Sequence, residues 1–127
     1  MLIVPADNVW LGLPATIGTT VAYSHVYALD GYDRATAIFT ISQIYGGAAS
    51  SDRLIAYESQ TSLDGTNWVA NGPSDSAQEV TSSANPPIAI TASVNGVFIR
   101  FKFVLERPVA ADTAGVLFSV HVNLYKR

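Results

Sequence analysis

Apolar and polar residues alternate with a period of two along much of the chain, and this pattern predicts β-strands. The clearest example is segment 97–106, in which every second residue from Val97 to Leu105 is apolar while Arg100 and Lys102 fall on the other face. Segment 116–125 alternates in the same way, with its large apolar residues on one face: Val116, Phe118, Val120, Val122 and Leu124. We therefore expect each strand to turn one face toward a core and the other toward solvent.

Turn signals separate the predicted strands. Asp64-Gly65 ends the strand that begins near Leu54, and Asn95-Gly96 precedes segment 97–106; glycine supplies the positive φ that such turns need. Segments 19–29 and 35–45 add strands rich in β-branched and aromatic residues, and no convincing helical pattern appears. The sequence predicts an all-β fold, an antiparallel β-sandwich or jelly roll of about seven or eight strands.

The N-terminal segment differs from the rest because prolines interrupt its apolar residues. Proline cannot donate to a strand ladder, so residues 1–17 are predicted to form an extended arm, followed by a single sandwich domain over 18–127. An edge strand of the chain's own domain is an equally weighted alternative. An arm packed on a neighbouring subunit would shelter its apolar side chains, and the interface candidates are Leu2, Ile3, Val4 and Trp10.

The longest polar segment is Ser- and Pro-rich and covers residues 71–87. Segments of this kind are typical of surface loops, which often carry partner contacts. Pro73, Pro86 and Pro87 are therefore further interface candidates.

The composition indicates that a partner covers part of the surface. Only 13% of the 127 residues are charged while 49% are hydrophobic, against a typical charged share of about a quarter. Self-association is the expected cover. A net charge of −3 argues against binding a nucleic-acid backbone, no apolar run reaches the roughly 20 residues of a membrane span, and the start of the chain lacks the features of a signal peptide, so use without Sec export is expected.

Residues suited to catalysis or metal binding are few. His25 and His121 each lie in a predicted strand without an evident partner, cysteine is absent, and most aspartates occupy turn positions. We predict no catalytic residue, metal or cofactor. A hydrolase would require one of the histidines beside a carboxylate in a cleft.

Aromatic residues on an outer sheet face are an alternative route to function. Aromatic rings stack on the apolar faces of sugars, and a ring with a polar handle suits binding as well as packing. The aromatic candidates for such a platform are Tyr23, Tyr27, Tyr45, Tyr57, Trp10 and Trp68, and Tyr57 and Trp68 are named as the ligand-binding residues. Core and interface packing is the favoured alternative for these rings, and Trp68 is large enough to anchor a small core. The alternative function is therefore a carbohydrate- or receptor-binding module.

Three segments together resemble a family of small bacteriophage virion structural proteins. They are LDGYDRAT at 29–36, ESQTSLDGTNW at 58–68 and FIRFKF at 98–103, and with the closing strand the resemblance covers about residues 29–125. It implies a non-enzymatic β-sandwich that decorates or cements a phage capsid. It also implies location in the virion after assembly in the host cytoplasm, contacts with the major capsid protein or other virion proteins, and a homo-oligomer, with a trimer as the expected form.

Overall fold

The computed structural model describes residues 1–46, 52–74, 78–79 and 88–127. In this part of the chain ten strands follow one another without a helix: β1 Leu2–Leu13, β2 Gly18–Tyr23, β3 Tyr27–Ala28, β4 Arg34–Gly46, β5 Arg53–Ser62, β6 Val69–Ser74, β7 Gln78–Glu79, β8 Ile88–Ser93, β9 Phe98–Arg107 and β10 Ala114–Tyr125. Their pairings are antiparallel.

The strands form two sheets. The four-stranded sheet has the order β1-β10-β4-β8, and the six-stranded sheet has the order β2-β9-β5-β6, with β3 pairing with β9 and β7 with β5. Once the two-residue strands β3 and β7 are set aside, eight strands remain, four in each sheet, which is a jelly-roll sandwich. The predicted fold class is confirmed; the two short strands account for the larger strand count.

The core lies between the sheets and is built from the alternating faces of β4, β9 and β10. Every predicted inward residue of β10 from Val116 to Leu124 is fully buried. Phe118 lies at the centre, with its ring edge-to-face on Phe103 of the opposite sheet at 5.2 Å and on Phe39 of β4 at 6.4 Å between centroids. The two sheets are therefore joined by interdigitated aromatic side chains.

Residues 2–13 are an edge strand of the chain's own sandwich rather than a free arm. β1 pairs with β10 from Leu2↔Asn123 to Leu13↔Ala114, with register shifts between Ile3 and Val9. Pro5 is tolerated because it lies in this irregular stretch of an edge strand, where no continuous ladder is required. The preference for an extended arm is corrected, and the edge-strand alternative describes these residues.

The segment predicted as one long loop also contains strand residues. Residues 71–74 belong to β6 and residues 78–79 form β7, while 75–77 and 80–87 lie outside the described residues. Pro73 is buried, and its carbonyl accepts a hydrogen bond from the Ser59 hydroxyl. Regular pairing with β5 explains why this part of the segment lies in the sheet.

A buried ion pair fixes one end of the sandwich. Arg107, at the end of β9, donates to Asp52 from Nε at 3.1 Å and from Nη2 at 2.9 Å, and both side chains are fully buried. Its Nη1 donates to the carbonyl oxygens of Pro14, Ala111 and Asp112. The hydrogen bond to Asp52 raises the pKa of Arg107, so the guanidinium keeps its charge while it ties three chain segments together.

Candidate interaction surfaces

The outer face of the six-stranded sheet carries an aromatic–arginine stack formed by Tyr23, Arg100 and Trp68. The guanidinium carbon of Arg100 lies 4.5 Å from the Tyr23 ring centroid and 4.4 Å from that of Trp68. Arg100 Nε also donates to Gln60 Oε1 at 2.8 Å. Two cation–π contacts and a hydrogen bond therefore hold the arginine against the sheet.

The same outer face is rich in charge. Glu58 is paired in register with Lys102, and Glu106 lies opposite Thr19 toward the other end of the sheet. Gln60 donates from Nε2 to Glu58 Oε2 at 3.2 Å. This face presents both acidic and basic side chains to solvent, as expected for an outer sheet face that remains solvated.

The outer face of the four-stranded sheet is different because the paired residues of its central rows include no Asp, Glu, Lys or Arg. His121 lies among them, and the exposed Asp7 lies on the edge strand β1 between the paired residues Ala6 and Val9. We call this outer face the uncharged face. The register places Leu2, Asn123, Thr36 and Thr91 in one row, His121, Ile38 and Ala89 in the next, then Ser119 with Thr40, and Trp10, Leu117 and Gln43 in the last. Leu2, Val4, Trp10 and Ile38 are exposed large apolar side chains among the described residues of this sheet.

Trp10 is held on the uncharged face by its neighbours. Its indole packs edge-to-face on Tyr45, with 5.1 Å between ring centroids. The ring covers the backbone of Gly115 so closely that a Cβ atom at that position would lie 1.9 Å from the indole. Because residue 115 has no side chain, the Trp10 indole can pack directly on its backbone. The Trp10 side chain is still 51% exposed.

The turn after β5 is organised by Asp64. Its carboxylate accepts hydrogen bonds from the backbone amides of Thr66 and Asn67, from the Asn67 side chain and from the Ser62 hydroxyl. The two backbone hydrogen bonds are the main cause that lowers the pKa of Asp64. The predicted Asp64-Gly65 turn is confirmed, with Gly65 at φ +78°.

A cleft lies beside this turn at the same end of the six-stranded sheet, and we call it the tip cleft. It has a volume of about 420 Å³ and lies between the Asp64 turn, the start of β6 and the turn that precedes β9. Its lining includes Thr61, Leu63, Val69, Asn71 and Asn95. Asn71 Oδ1 accepts a hydrogen bond from the backbone amide of Asn95 at 2.8 Å, which joins two of the walls.

The histidines considered for catalysis lie on different sheets. His25 follows β2 of the six-stranded sheet, and His121 lies on β10 opposite Ile38. Both are exposed. Within residues 1–46, 52–74, 78–79 and 88–127, no group of three or more His, Cys, Asp or Glu side chains is arranged to hold a metal.

The predicted interface residues fall into three groups. Leu2, Val4 and Trp10 are exposed on β1, whereas Ile3 and Pro73 are buried within the sandwich and are not available to a partner. Pro86 and Pro87 lie outside the described residues. Sequence reasoning missed Ile38, whose outward position in β4 could have been read from its alternation with the inward residues Ala37 and Phe39.

The two predicted ligand-binding aromatics are not brought together by any described contact. Trp68 stacks on Arg100 and is half-buried on the outer face, so it does not anchor the core. Tyr57 lies in β5, and its side chain is outside the described part of the structure. Tyr23, which was named with Trp68 as a candidate for an aromatic platform, also lies against Arg100. Arg100 was not linked to either ring from the sequence because it is distant from both along the chain.

No helix in the described part of the chain has the length and apolar character needed to cross a membrane.

These features define an antiparallel jelly-roll β-sandwich with one charged and one uncharged outer face. No family model matches the chain, and no curated protein matches its sequence. A chain in the solved structure of infectious bursal disease virus, Gx strain, has a similar fold, with a TM-score of 0.51 and 12% sequence identity over 96% of this chain. The match covers 30% of that viral chain, so this chain spans less than a third of its length. At this identity the likeness is one of fold.

Proposed function

We propose that this chain is a virion structural protein that assembles through the uncharged face of its four-stranded sheet. The observation that carries the proposal is the exposure of Leu2, Val4, Trp10 and Ile38 on a sheet face whose paired central rows include no Asp, Glu, Lys or Arg. The similar fold of a chain in a virus structure supports the virion role, and jelly rolls are common among viral capsid domains. The resemblance of segments 29–36, 58–68 and 98–103 to phage virion proteins supports the finer assignment to capsid decoration.

The physical basis is the contrast between the two outer faces. Glu58, Arg100, Lys102 and Glu106 would each have to be desolvated if the six-stranded face were covered, and burying an unpaired charge is costly. The paired central rows of the uncharged face include no Asp, Glu, Lys or Arg that would carry this penalty. Covering its apolar side chains contributes about 25 cal/mol for each Å² of apolar surface removed from water, and the threonine and asparagine hydroxyl and amide groups can pair across the contact.

The expected assembly is a homo-oligomer, with a trimer as the form tested first, and the further partner is the major capsid protein. A trimer needs a contact that joins two different patches and closes into a ring, whereas a dimer about a two-fold axis joins one patch to itself. The uncharged face with the apolar residues of β1 supplies the self-complementary patch of a dimer, or one of the two patches that meet in a trimer. The proposed role is mechanical, since repeated contacts over a symmetric shell strengthen it without chemistry.

Sedimentation velocity on a charge-introducing variant tests this role. Ile38→Lys places an ammonium in the middle of the uncharged face and should turn an oligomeric protein into a monomer, because the charge would be buried without a partner. Val21→Lys is the matched control, since Val21 is a β-branched strand residue of nearly equal exposure (46% against 42%) on the other sheet. A wild-type protein that stays monomeric at all concentrations, or equal loss of association in both variants, would contradict the proposal.

A further inference from the structure

The tip cleft contains a buried hydroxyl that no described residue satisfies. Thr61 is 1% exposed and lines the cleft. None of the hydrogen bonds among the described residues involves its side chain, although a buried hydroxyl normally has a partner. Thr61 lies beneath the turn before β9, where a Cβ atom on Gly96 would approach its own Cβ to 3.1 Å. Its hydroxyl therefore has no hydrogen-bond partner among the described residues and belongs to a residue that lines the cleft.

Three carboxamides line the cleft, those of Asn67, Asn71 and Asn95, and Asn67 uses its NH₂ to donate to Asp64. The Oδ1 atom of Asn71 is used by the Asn95 backbone amide, so the side-chain NH₂ of Asn71 remains for a ligand. The side chain of Asn95 is exposed and lines the same cleft. Carboxamides and a hydroxyl both donate and accept, which matches the hydrogen-bonding capacity of hydroxyl groups on a ligand.

The charges of the cleft exclude other ligand classes. No basic side chain among the described residues lines it, so a phosphate or carboxylate ligand would find no counter-charge there. Asp64, the acidic residue among the described lining residues, already accepts four hydrogen bonds from its own turn. The carboxylate therefore has little capacity left for a cation, and a neutral ligand fits best.

The remaining walls are apolar. Leu63 and Val69 line the cleft and are 77% and 64% exposed, respectively. A ring with C–H groups on its faces and hydroxyl groups on its edge would cover both side chains while its hydroxyls reach Thr61, Asn71 and Asn95. The volume of about 420 Å³ lies within the usual range for small-molecule sites, roughly 300–1,000 Å³.

We propose that the tip cleft binds one neutral sugar residue of a glycan, with Thr61, Asn71 and Asn95 as its hydrogen-bonding groups and Leu63 and Val69 as its apolar platform. The site lies outside the uncharged face, so it does not depend on the assembly proposed above. It also differs from the expected aromatic site, since Trp68 is not among the described residues that line the cleft.

Titration of the ¹⁵N-labelled full chain with free monosaccharides, followed by amide chemical shifts, tests the site. The probes are glucose, galactose, mannose and N-acetylglucosamine, with glucuronic acid and N-acetylneuraminic acid as acidic counterparts. We expect saturable shifts at Leu63, Asn71 and Asn95 with at least one neutral sugar. No saturable shift with any neutral sugar, or saturation with the acidic sugars alone, would overturn the assignment.

Variants locate the binding. Thr61→Val keeps the side-chain shape and removes the hydroxyl, so affinity should fall about tenfold, the equivalent of one lost hydrogen bond, while the fold keeps or gains stability. Thr19→Val, at the opposite end of the sheet, is the control and should bind as the wild type does. Asn71→Asp keeps the acceptor for Asn95 and removes the donor, so it should also weaken binding and provides the test if Thr61→Val does not fold. Undiminished binding in both cleft variants would refute the site.

Discussion

Replacing Asp52 by alanine should destabilise the protein strongly because it leaves Arg107 buried without its carboxylate. Asp52 takes two hydrogen bonds from the guanidinium, at 3.1 Å and 2.9 Å, and both side chains are fully shielded from water. Removing one partner of such a pair costs about 3–5 kcal/mol. That is a large share of a domain's total stability of about 5–15 kcal/mol. The guanidinium would be held only by its remaining contacts, including those to the carbonyls of Pro14, Ala111 and Asp112.

Urea unfolding followed by circular dichroism measures the effect. With a denaturant slope of about 1–3 kcal/mol per molar urea, the midpoint should fall by on the order of 2 M. Asp112→Ala is the control, since that side chain is exposed and its substitution should cost about 0.5 kcal/mol or less. The double variant Asp52→Leu with Arg107→Met should lose less than the sum of the two single variants, because it removes both buried charges. A loss of less than about 1 kcal/mol in Asp52→Ala would refute this account of the pair.

Two further predictions concern the turn after β5 and the packing of the Trp10 indole on Gly115. The pKa of Asp64 is lowered in the folded protein, so its carboxylate stabilises the fold above the unfolded-state pKa of about 4 and loses this effect as the pH falls through the folded-state value. The difference in urea midpoint between wild type and Asp64→Asn should therefore be full at neutral pH and shrink below pH 4 or so, and a constant difference would contradict the assignment. Gly115→Ala should displace the Trp10 indole, shift tryptophan emission to longer wavelength and cost about 1–3 kcal/mol. Gly18→Ala, where an added Cβ meets nothing within 4 Å, is the control and should leave the emission unchanged.

The sequence predicted the fold best where alternation was regular and long. In β9 and β10, inward residues such as Phe101, Phe103 and Phe118 are all buried as expected. Each of these strands is central in its sheet, so one face always meets the core and the pattern has a single cause. The jelly-roll class followed from many such segments separated by turn signals.

The prediction was less successful where the deciding contact is distant along the chain. The prolines near the start suggested an arm, but pairing with β10, more than a hundred residues away, makes residues 2–13 an edge strand. Trp68 is large enough to anchor a small core, yet it lies on the outer face with Arg100 stacked on its ring. The Asp52–Arg107 pair has no local signal, since its partners are 55 residues apart.

The candidate sites could be predicted only in part for the same reason. Leu2, Val4 and Trp10 were identified because apolar residues beside prolines suggest exposure. The uncharged face as a whole can be recognised only when the register of the four strands is known. This register brings Ile38 beside His121 and Trp10 beside Leu117. The tip cleft likewise depends on two turns meeting at one end of the sandwich.

The central claim is that the uncharged face is the one covered on assembly, and hydroxyl-radical footprinting tests it most directly. Each outer face offers a tyrosine and a tryptophan for comparison: Trp10 with Tyr45 on the four-stranded sheet, and Tyr23 with Trp68 on the six-stranded sheet. Oxidation of these four residues, read by mass spectrometry across a concentration series, compares both faces in one sample. We predict that Trp10 and Tyr45 become protected as the protein associates while Tyr23 and Trp68 stay equally reactive. Protection of Tyr23 and Trp68 instead, or no protection at any concentration, would contradict the account.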